Sequence, residues 1–180
     1  MQQFWVFGYG SLMWRPGFRH LASEPALIRG FHRKLCVFSH VHRGTPERPG
    51  LVLGLDRGGS CHGIAYQVDP AHWEETLAYL RAREQVTMVY LERRQSIQLL
   101  QDNRSVEAVT YIVDRTHRQY AGALPECDLV SHVLHGEGVS GHCIDYVMNT
   151  VTHLRHMNIH DTTLERLVQC LQPQVNSRLR

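Results

Sequence analysis

No run in this 180-residue chain approaches the roughly 20 apolar residues needed to cross a bilayer as a helix, which argues against a helical membrane protein. CxxC spacing is also missing. The five cysteines (Cys36, Cys61, Cys127, Cys143, Cys170) are odd in number and scattered, which argues against a disulfide scaffold and predicts reduced thiols in a cytoplasmic protein. There is little excess charge of either sign: the formal net charge is +2, with Lys and Arg dispersed, so neither nucleic acid nor an acidic membrane surface is expected as a partner. The start, Met1-Gln2-Gln3-Phe4-Trp5, has no basic region and no long apolar stretch, so no signal peptide is expected. Repeats, low-complexity tracts and Pro/Ser-rich linkers are absent as well. Residues 1–180 therefore read as a single domain, and 43% hydrophobic with 20% charged residues suffices for one sizeable core.

The first half reads as strands. Phe4 to Tyr9 is a short buried strand, and Ala26 to His40 holds one long or two short strands. Leu51 to Leu55 and Ile64 to Val68 flank Asp56-Arg57-Gly58-Gly59-Ser60, which predicts a hairpin, and Val89 to Leu100 and Ser105 to Val113 predict a second around Gln101 to Arg104. Between them, Asp69 and Pro70 form a capping signal and open a helix that runs to Glu84. The last third is helical: Ile144, Val147, Met148, Val151 and Leu154 keep helical spacing. So do Leu164, Leu167, Val168 and Leu171, after a capping box at Thr162 and Glu165 and before a stop at Pro173. Segregated strands and helices indicate an α+β fold.

Glu84 is the most informative position. At about 100° per residue, Trp73, Leu77, Leu80 and Glu84 lie within roughly 40° of one direction, so a carboxyl group continues an apolar stripe. At a helix C-terminus, both the macrodipole and burial disfavour the carboxylate, which suits it to carry a proton at neutral pH. The competing reading pairs Glu84 with Arg81 or Arg83 at a frayed helix end. Glu75 projects about 180° from Glu84 on the same helix and is no partner for it.

A second feature is Val6-Phe7-Gly8-Tyr9-Gly10-Ser11-Leu12-Met13-Trp14, a strand running into a turn with two glycines. Successive N–H groups at such a turn can converge on one oxygen, as an anion nest or oxyanion hole, or the glycines serve the turn alone. It is no dinucleotide fingerprint, since Met13 stands where the third glycine belongs. It is no P-loop, since no Gly-Lys-Ser/Thr follows, and no nucleophile elbow, since Tyr9 and Met13 stand two before and two after Ser11, where glycines belong. In the loop Ser39 to Gly50, Arg43 either clamps a carboxylate or is solvated. His153, His156 and His160 share a helical face, but one off the apolar stripe, so no metal site is expected there. Nothing marks any cysteine as an activated nucleophile.

Taken in order, these segments resemble the ChaC-like γ-glutamylcyclotransferases. The resemblance spans nearly the whole chain. It includes Trp5 to Trp14, His42-Arg43-Gly44, Pro49-Gly50, Gly63-Ile64-Ala65-Tyr66, Tyr79-Leu80 with Arg83-Glu84, Tyr120-Ala121-Gly122, and Ser140-Gly141 with Asp145-Tyr146. It implies a small mixed β-barrel with flanking and C-terminal helices, and cleavage of glutathione to 5-oxoproline and cysteinylglycine without cofactor or metal. By the same resemblance Glu84 is the catalytic carboxylate. Tyr9, Gly10, Ser11 and Leu12 hold the γ-glutamyl moiety, with Val6, Phe7 and Gly8 leading in. Arg43 joins the candidate substrate contacts, and Tyr9, Tyr111, Tyr120 and Tyr146 are candidate orienting hydroxyls. Two departures stand out. Gln85 to Tyr90 replaces the Lys-Gly-Gly-Tyr of many relatives, and His142-Cys143 replaces Pro-Asn. The alternatives are a cyclotransferase for other γ-glutamyl amines or amino acids, or a non-catalytic γ-glutamyl-binding or regulatory protein associated with cation transport.

Overall fold

The computed structural model describes residues 3–178, with 174–178 described by backbone alone. Met1 and Gln2, where the segment weighed as a leader begins, lie outside the described residues. The chain divides into two units, each discontinuous in sequence: one holds the residues up to Lys34 and Leu53–Tyr120, the other Leu35–Val52 and the residues from Ala121 onward.

Most of a barrel lies in the first unit, with the end of its second strand and the start of its third assigned to the other. Strand β1 (Phe4–Gly8) is followed by β2 (Ala22–Ser39), β3 (Gly50–Val68), helix α1 (Trp73–Glu84), β4 (Tyr90–Leu99) and β5 (Ser105–Val113). The strands close in the order β1-β3-β2-β4-β5, and parallel pairing of β1 with β5 (Trp5↔Ala108, Val6↔Val109) shuts the ring. β1 also pairs antiparallel with the end of β3, from Phe4↔Val68 to Gly8↔Ile64. The β4–β5 hairpin forms as expected, in register from Tyr90↔Val113 to Gln98↔Ser105.

The expected hairpin at Asp56–Ser60 does not form. Gly50 to Val68 is one continuous strand, and Gly58 and Gly59 take positive φ values of 103° and 68° within it. Glycine tolerates that conformation without steric cost, so the pair bends the strand without reversing it.

α1 lies on the barrel through its predicted stripe. Trp73, Leu77 and Leu80 share one cluster with Val6, Leu12, Tyr66, Val68, Val109 and Tyr111, and the Trp73 ring stacks on Phe4 at 4.7 Å. The Asp69 carboxylate accepts from the Ala71 N–H at 2.8 Å. It caps a single 3₁₀ turn (Pro70–His72) that leads into the helix, so the predicted cap is present one turn ahead of the α-helix.

The second unit is mainly helical. It contains α2 (Glu126–His135), the short pair β6 (Glu137–Gly138) and β7 (Gly141–His142), α3 (Cys143–His156) and α4 (Thr162–Arg178). α2 packs on both α3 and α4, and α3 packs on α4. Ile144, Val147, Val151 and Leu154 of α3 and Leu164, Leu167, Val168 and Leu171 of α4 are buried as their spacing predicts, and Met148 is half-buried.

Two details of α4 differ from expectation. Its cap is Asp161, whose carboxylate accepts from the Leu164 N–H at 3.1 Å, while Glu165 turns outward to Arg155 and His160 instead of closing a capping box. The helix also continues through Pro173 to Arg178. A proline in a helix forfeits one i→i−4 bond; here the preceding turns are held by the buried leucines. No helix among the described residues is long and apolar enough to cross a membrane.

Candidate active site

β1 ends in the glycine turn, which the barrel grips from several sides. Its residues Ser11–Met13 form a 3₁₀ turn whose first bond runs from the Met13 N–H to the Gly10 carbonyl at 2.9 Å. That turn therefore does not consume the N–H groups of Ser11 and Leu12. At Gly8 a Cβ would lie 3.0 Å from the Leu12 Cβ, so the bare α-carbon lets Leu12 fold back over the strand end. Val6 and Phe7 are wholly buried beneath the turn, Tyr9 and Leu12 nearly so, while Gly10 and Ser11 are half-buried and form its accessible part.

Two side chains that sequence reasoning missed fix this turn. The Tyr66 hydroxyl lies 3.0 Å from the Leu12 carbonyl and 2.7 Å from that of Met13, and burial pushes its pKa up to about 12. Buried Arg33 donates from Nε to the Tyr9 carbonyl at 2.5 Å and from Nη2 to the His62 carbonyl at 2.7 Å. Tyr66 belongs to the quoted Gly63–Tyr66 segment, so its presence was visible but its partners were not. Nothing in the local sequence distinguishes Arg33 from a surface arginine.

Glu84 ends α1 with its side chain 19% exposed. The helix does not fray there, since the Gln85 N–H still bonds the Arg81 carbonyl at 3.0 Å. Burial raises the Glu84 pKa, and the neighbouring Arg83 charge only partly opposes it. The two arginines weighed as bland partners separate cleanly. Arg81 grips Glu92 with two bonds, at 2.8 and 2.7 Å, whereas Arg83 Nε lies 3.2 Å from Glu84 Oε1. The same Arg83 guanidinium donates from Nη2 to the Ser11 hydroxyl at 2.9 Å. The candidate proton carrier and the glycine turn are thus linked through one side chain, by an ion pair on one side and a hydrogen bond on the other.

The other candidates are distributed as follows. The Tyr111 hydroxyl donates to Glu92 at 3.0 Å, and burial together with the Glu92 and Glu84 carboxylates raises its pKa. The Tyr120 hydroxyl donates to Asp56 at 2.9 Å. Asp56 is buried. Burial alone would raise its pKa, but bonds from Arg115, Tyr120 and the Arg57 N–H outweigh that and hold it low.

In the second unit, Arg43 and Tyr146 meet each other: the guanidinium carbon lies 5.4 Å from the ring centroid, and Nη1 donates to the Ser140 carbonyl at 2.5 Å. Cys143, at the second departure, exchanges bonds with the Leu51 backbone, and burial lifts its thiol to about 11, which suits packing rather than nucleophilic attack. No group of three or more His, Cys, Asp or Glu able to hold a metal occurs among the described residues.

The fold, a closed five-stranded barrel accompanied by helices, is of the γ-glutamyl cyclotransferase type. The crystal structure of a γ-glutamyl cyclotransferase specific to glutathione from yeast matches this chain with a TM-score of 0.85 at 22% identity, over 96% of this chain and 97% of that one. More particularly, the chain belongs to the family described as ChaC-like protein, which its residues 4–174 match. The glutathione-specific gamma-glutamylcyclotransferase 1 of Mus musculus is 34% identical over 151 residues, covering 82% of this chain and 67% of that protein. The glutathione-specific gamma-glutamylcyclotransferase of Escherichia coli is 31% identical over 164 residues, covering 91% and 71%.

Proposed function

We propose that this protein is a glutathione-specific γ-glutamylcyclotransferase that releases 5-oxoproline and cysteinylglycine, with Glu84 as its catalytic residue. The observation that carries the reading is the half-buried Glu84 carboxyl, linked through the Arg83 guanidinium to Ser11 of the glycine turn. The names of the relatives from mouse and Escherichia coli support the substrate. The five free thiols fit a reducing cytoplasmic setting, in which glutathione is the principal small thiol.

The reaction needs no water. The α-amine of the γ-glutamyl group attacks its own γ-carbonyl carbon, the new C–N bond closes a five-membered lactam, and the old amide C–N bond breaks. Nucleophile and electrophile belong to one molecule, so holding the bent conformer is the first task, and such arrangements reach effective molarities of about 10⁵ M or more. Glu84 takes the proton from the attacking nitrogen and delivers it to the departing amine. A carboxyl whose pKa burial has raised above the ordinary carboxyl value is better suited to serve both directions. Charge on the γ-carbonyl oxygen in the tetrahedral state is met by N–H groups of the Gly8–Leu12 turn, each such donor being worth roughly 3 kcal/mol in other enzymes. Arg43, Tyr120 and Tyr146 as further substrate contacts, and residues 1–180 as a single domain, belong to the same proposal.

The deciding assay incubates purified protein with glutathione or with γ-glutamyl-alanine, without added metal or nucleotide, and measures 5-oxoproline. Product from glutathione alone is expected. Product mainly from γ-glutamyl-alanine would instead assign a broader cyclotransferase, in line with the bulkier Gln85–Tyr90 segment, and no product from either would leave a binding role.

A further inference from the structure

Arg83 makes more contacts to the candidate site than any role as a helix-end counterion requires. Its side chain is 21% exposed and reaches five groups. Nε faces Glu84 at 3.2 Å and Nη2 bonds the Ser11 hydroxyl at 2.9 Å. Nη1 bonds the Arg15 carbonyl at 2.7 Å, the Tyr79 hydroxyl at 2.9 Å and the Pro16 carbonyl at 3.3 Å. Each side of one rigid plane therefore touches both α1, at Glu84 or Tyr79, and the chain of the glycine turn, at Ser11 or at Arg15 and Pro16. A guanidinium fixes the angle between its donors, which an ammonium on a flexible stem cannot do.

We propose that Arg83 is the positioning residue of the site: it holds the Glu84 carboxylate and the Ser11 hydroxyl at one separation, so the proton carrier and the γ-glutamyl-binding turn move as a single body. This inference rests on the cyclotransferase reading. Tyr79, one helical turn before Arg83, braces the guanidinium from behind and restricts its rotamers. The consequence is kinetic, because a misplacement near 1 Å at a reacting centre costs about a hundredfold in rate. Arg83 also supplies the positive charge that favours the ionised form of Glu84, so its geometry and its charge are separable contributions.

Two variants separate them, with wild type measured alongside on glutathione across pH and each variant checked by circular dichroism and thermal melting. Arg83→Met removes both contributions. We expect kcat to fall by about a hundredfold with KM changed far less, and the acid limb of kcat/KM to move to higher pH as Glu84 loses its stabilising cation. Arg83→Lys keeps the charge but not the fork. We expect the acid limb close to its wild-type position and kcat still down by about tenfold or more.

Full kcat in Arg83→Lys overturns the proposal, as does an acid limb left in place in a folded Arg83→Met. If Arg83→Met fails to fold, Arg83→Lys decides alone. An inactive wild type would remove the cyclotransferase reading and this inference together, whereas an active wild type with an insensitive Arg83→Lys removes only the inference.

Discussion

Glu84→Gln keeps the size of the side chain and deletes its charge and its proton, and two opposite effects follow. Turnover should collapse, since a general acid–base residue contributes typically 10²–10⁴-fold. Stability should rise at neutral pH. The Glu84 side chain is 19% exposed, and burial raises its pKa above the ordinary value of 4.5.

The folded protein therefore binds more protons than the unfolded chain between pH 4.5 and the folded-state value, and stability falls as pH rises through that window. Glutamine does not titrate, so the variant escapes that loss. Each unit by which the carboxyl is raised corresponds to about 1.4 kcal/mol above the window. In a protein of this size each kcal/mol moves Tm by about 2–4 °C. The measurement is a pair of thermal melts, at pH 4 and pH 8, on both proteins, with 5-oxoproline release at pH 8. The expected result is a higher Tm for the variant at pH 8, a gap that closes at pH 4, and turnover reduced at least tenfold. A variant that keeps more than about a tenth of wild-type kcat would show that Glu84 is not the proton carrier, and a stability difference that does not depend on pH would show that it is not sequestered.

Tyr66→Phe strips the donor from the Leu12 and Met13 carbonyls, so stability should drop by about 1–3 kcal/mol in urea denaturation and KM for glutathione should rise as the turn loosens. Unchanged values for both would deny Tyr66 its grip on the turn. Asp56→Asn should cost about 2–3 kcal/mol at pH 7, somewhat below the roughly 3–5 kcal/mol of a broken fully buried pair because Arg115 and Lys34 reach solvent. The depressed Asp56 pKa stabilises the fold above its ordinary value of 3.8 and is lost as pH falls through the lower folded value, so the difference between variant and wild type should shrink on acidification below about pH 4. An equal difference at pH 7 and pH 2.5 would contradict the ionised network.

How far the sequence carried the reading differs from element to element. The β4–β5 hairpin and the stripe of α1 were legible because their signals lie within a few residues: a polar four-residue turn between β-rich segments, and a capped helix with apolar spacing. Asp56–Ser60 carried an equally good local signal and misled, because turn chemistry permits either a reversal or a bend. The choice fell to the pairing of Ile64–Val68 with β1. Pro173 misled in the same way, and α2 carried no cap or spacing strong enough to be singled out. At the site, Glu84 was legible from helix phase alone, whereas Arg33 and Tyr66 were not, since their partners are backbone carbonyls 24 and about 50 residues away.

By itself, the order of residues determined that an acidic side chain would continue the buried face of one helix and that a strand would end in a glycine turn. Helix phase and glycine stereochemistry are local properties, which no distant contact has to complete. Only the tertiary structure decided that these two features share one arginine: Arg81 turns to Glu92 while Arg83 turns to Glu84, and the guanidinium of Arg83 also holds Ser11, 72 residues earlier. Two arginines on one helical turn look alike in sequence. Which of them joins the site depends on where barrel closure puts Glu92 and Ser11, and that closure is a long-range packing outcome.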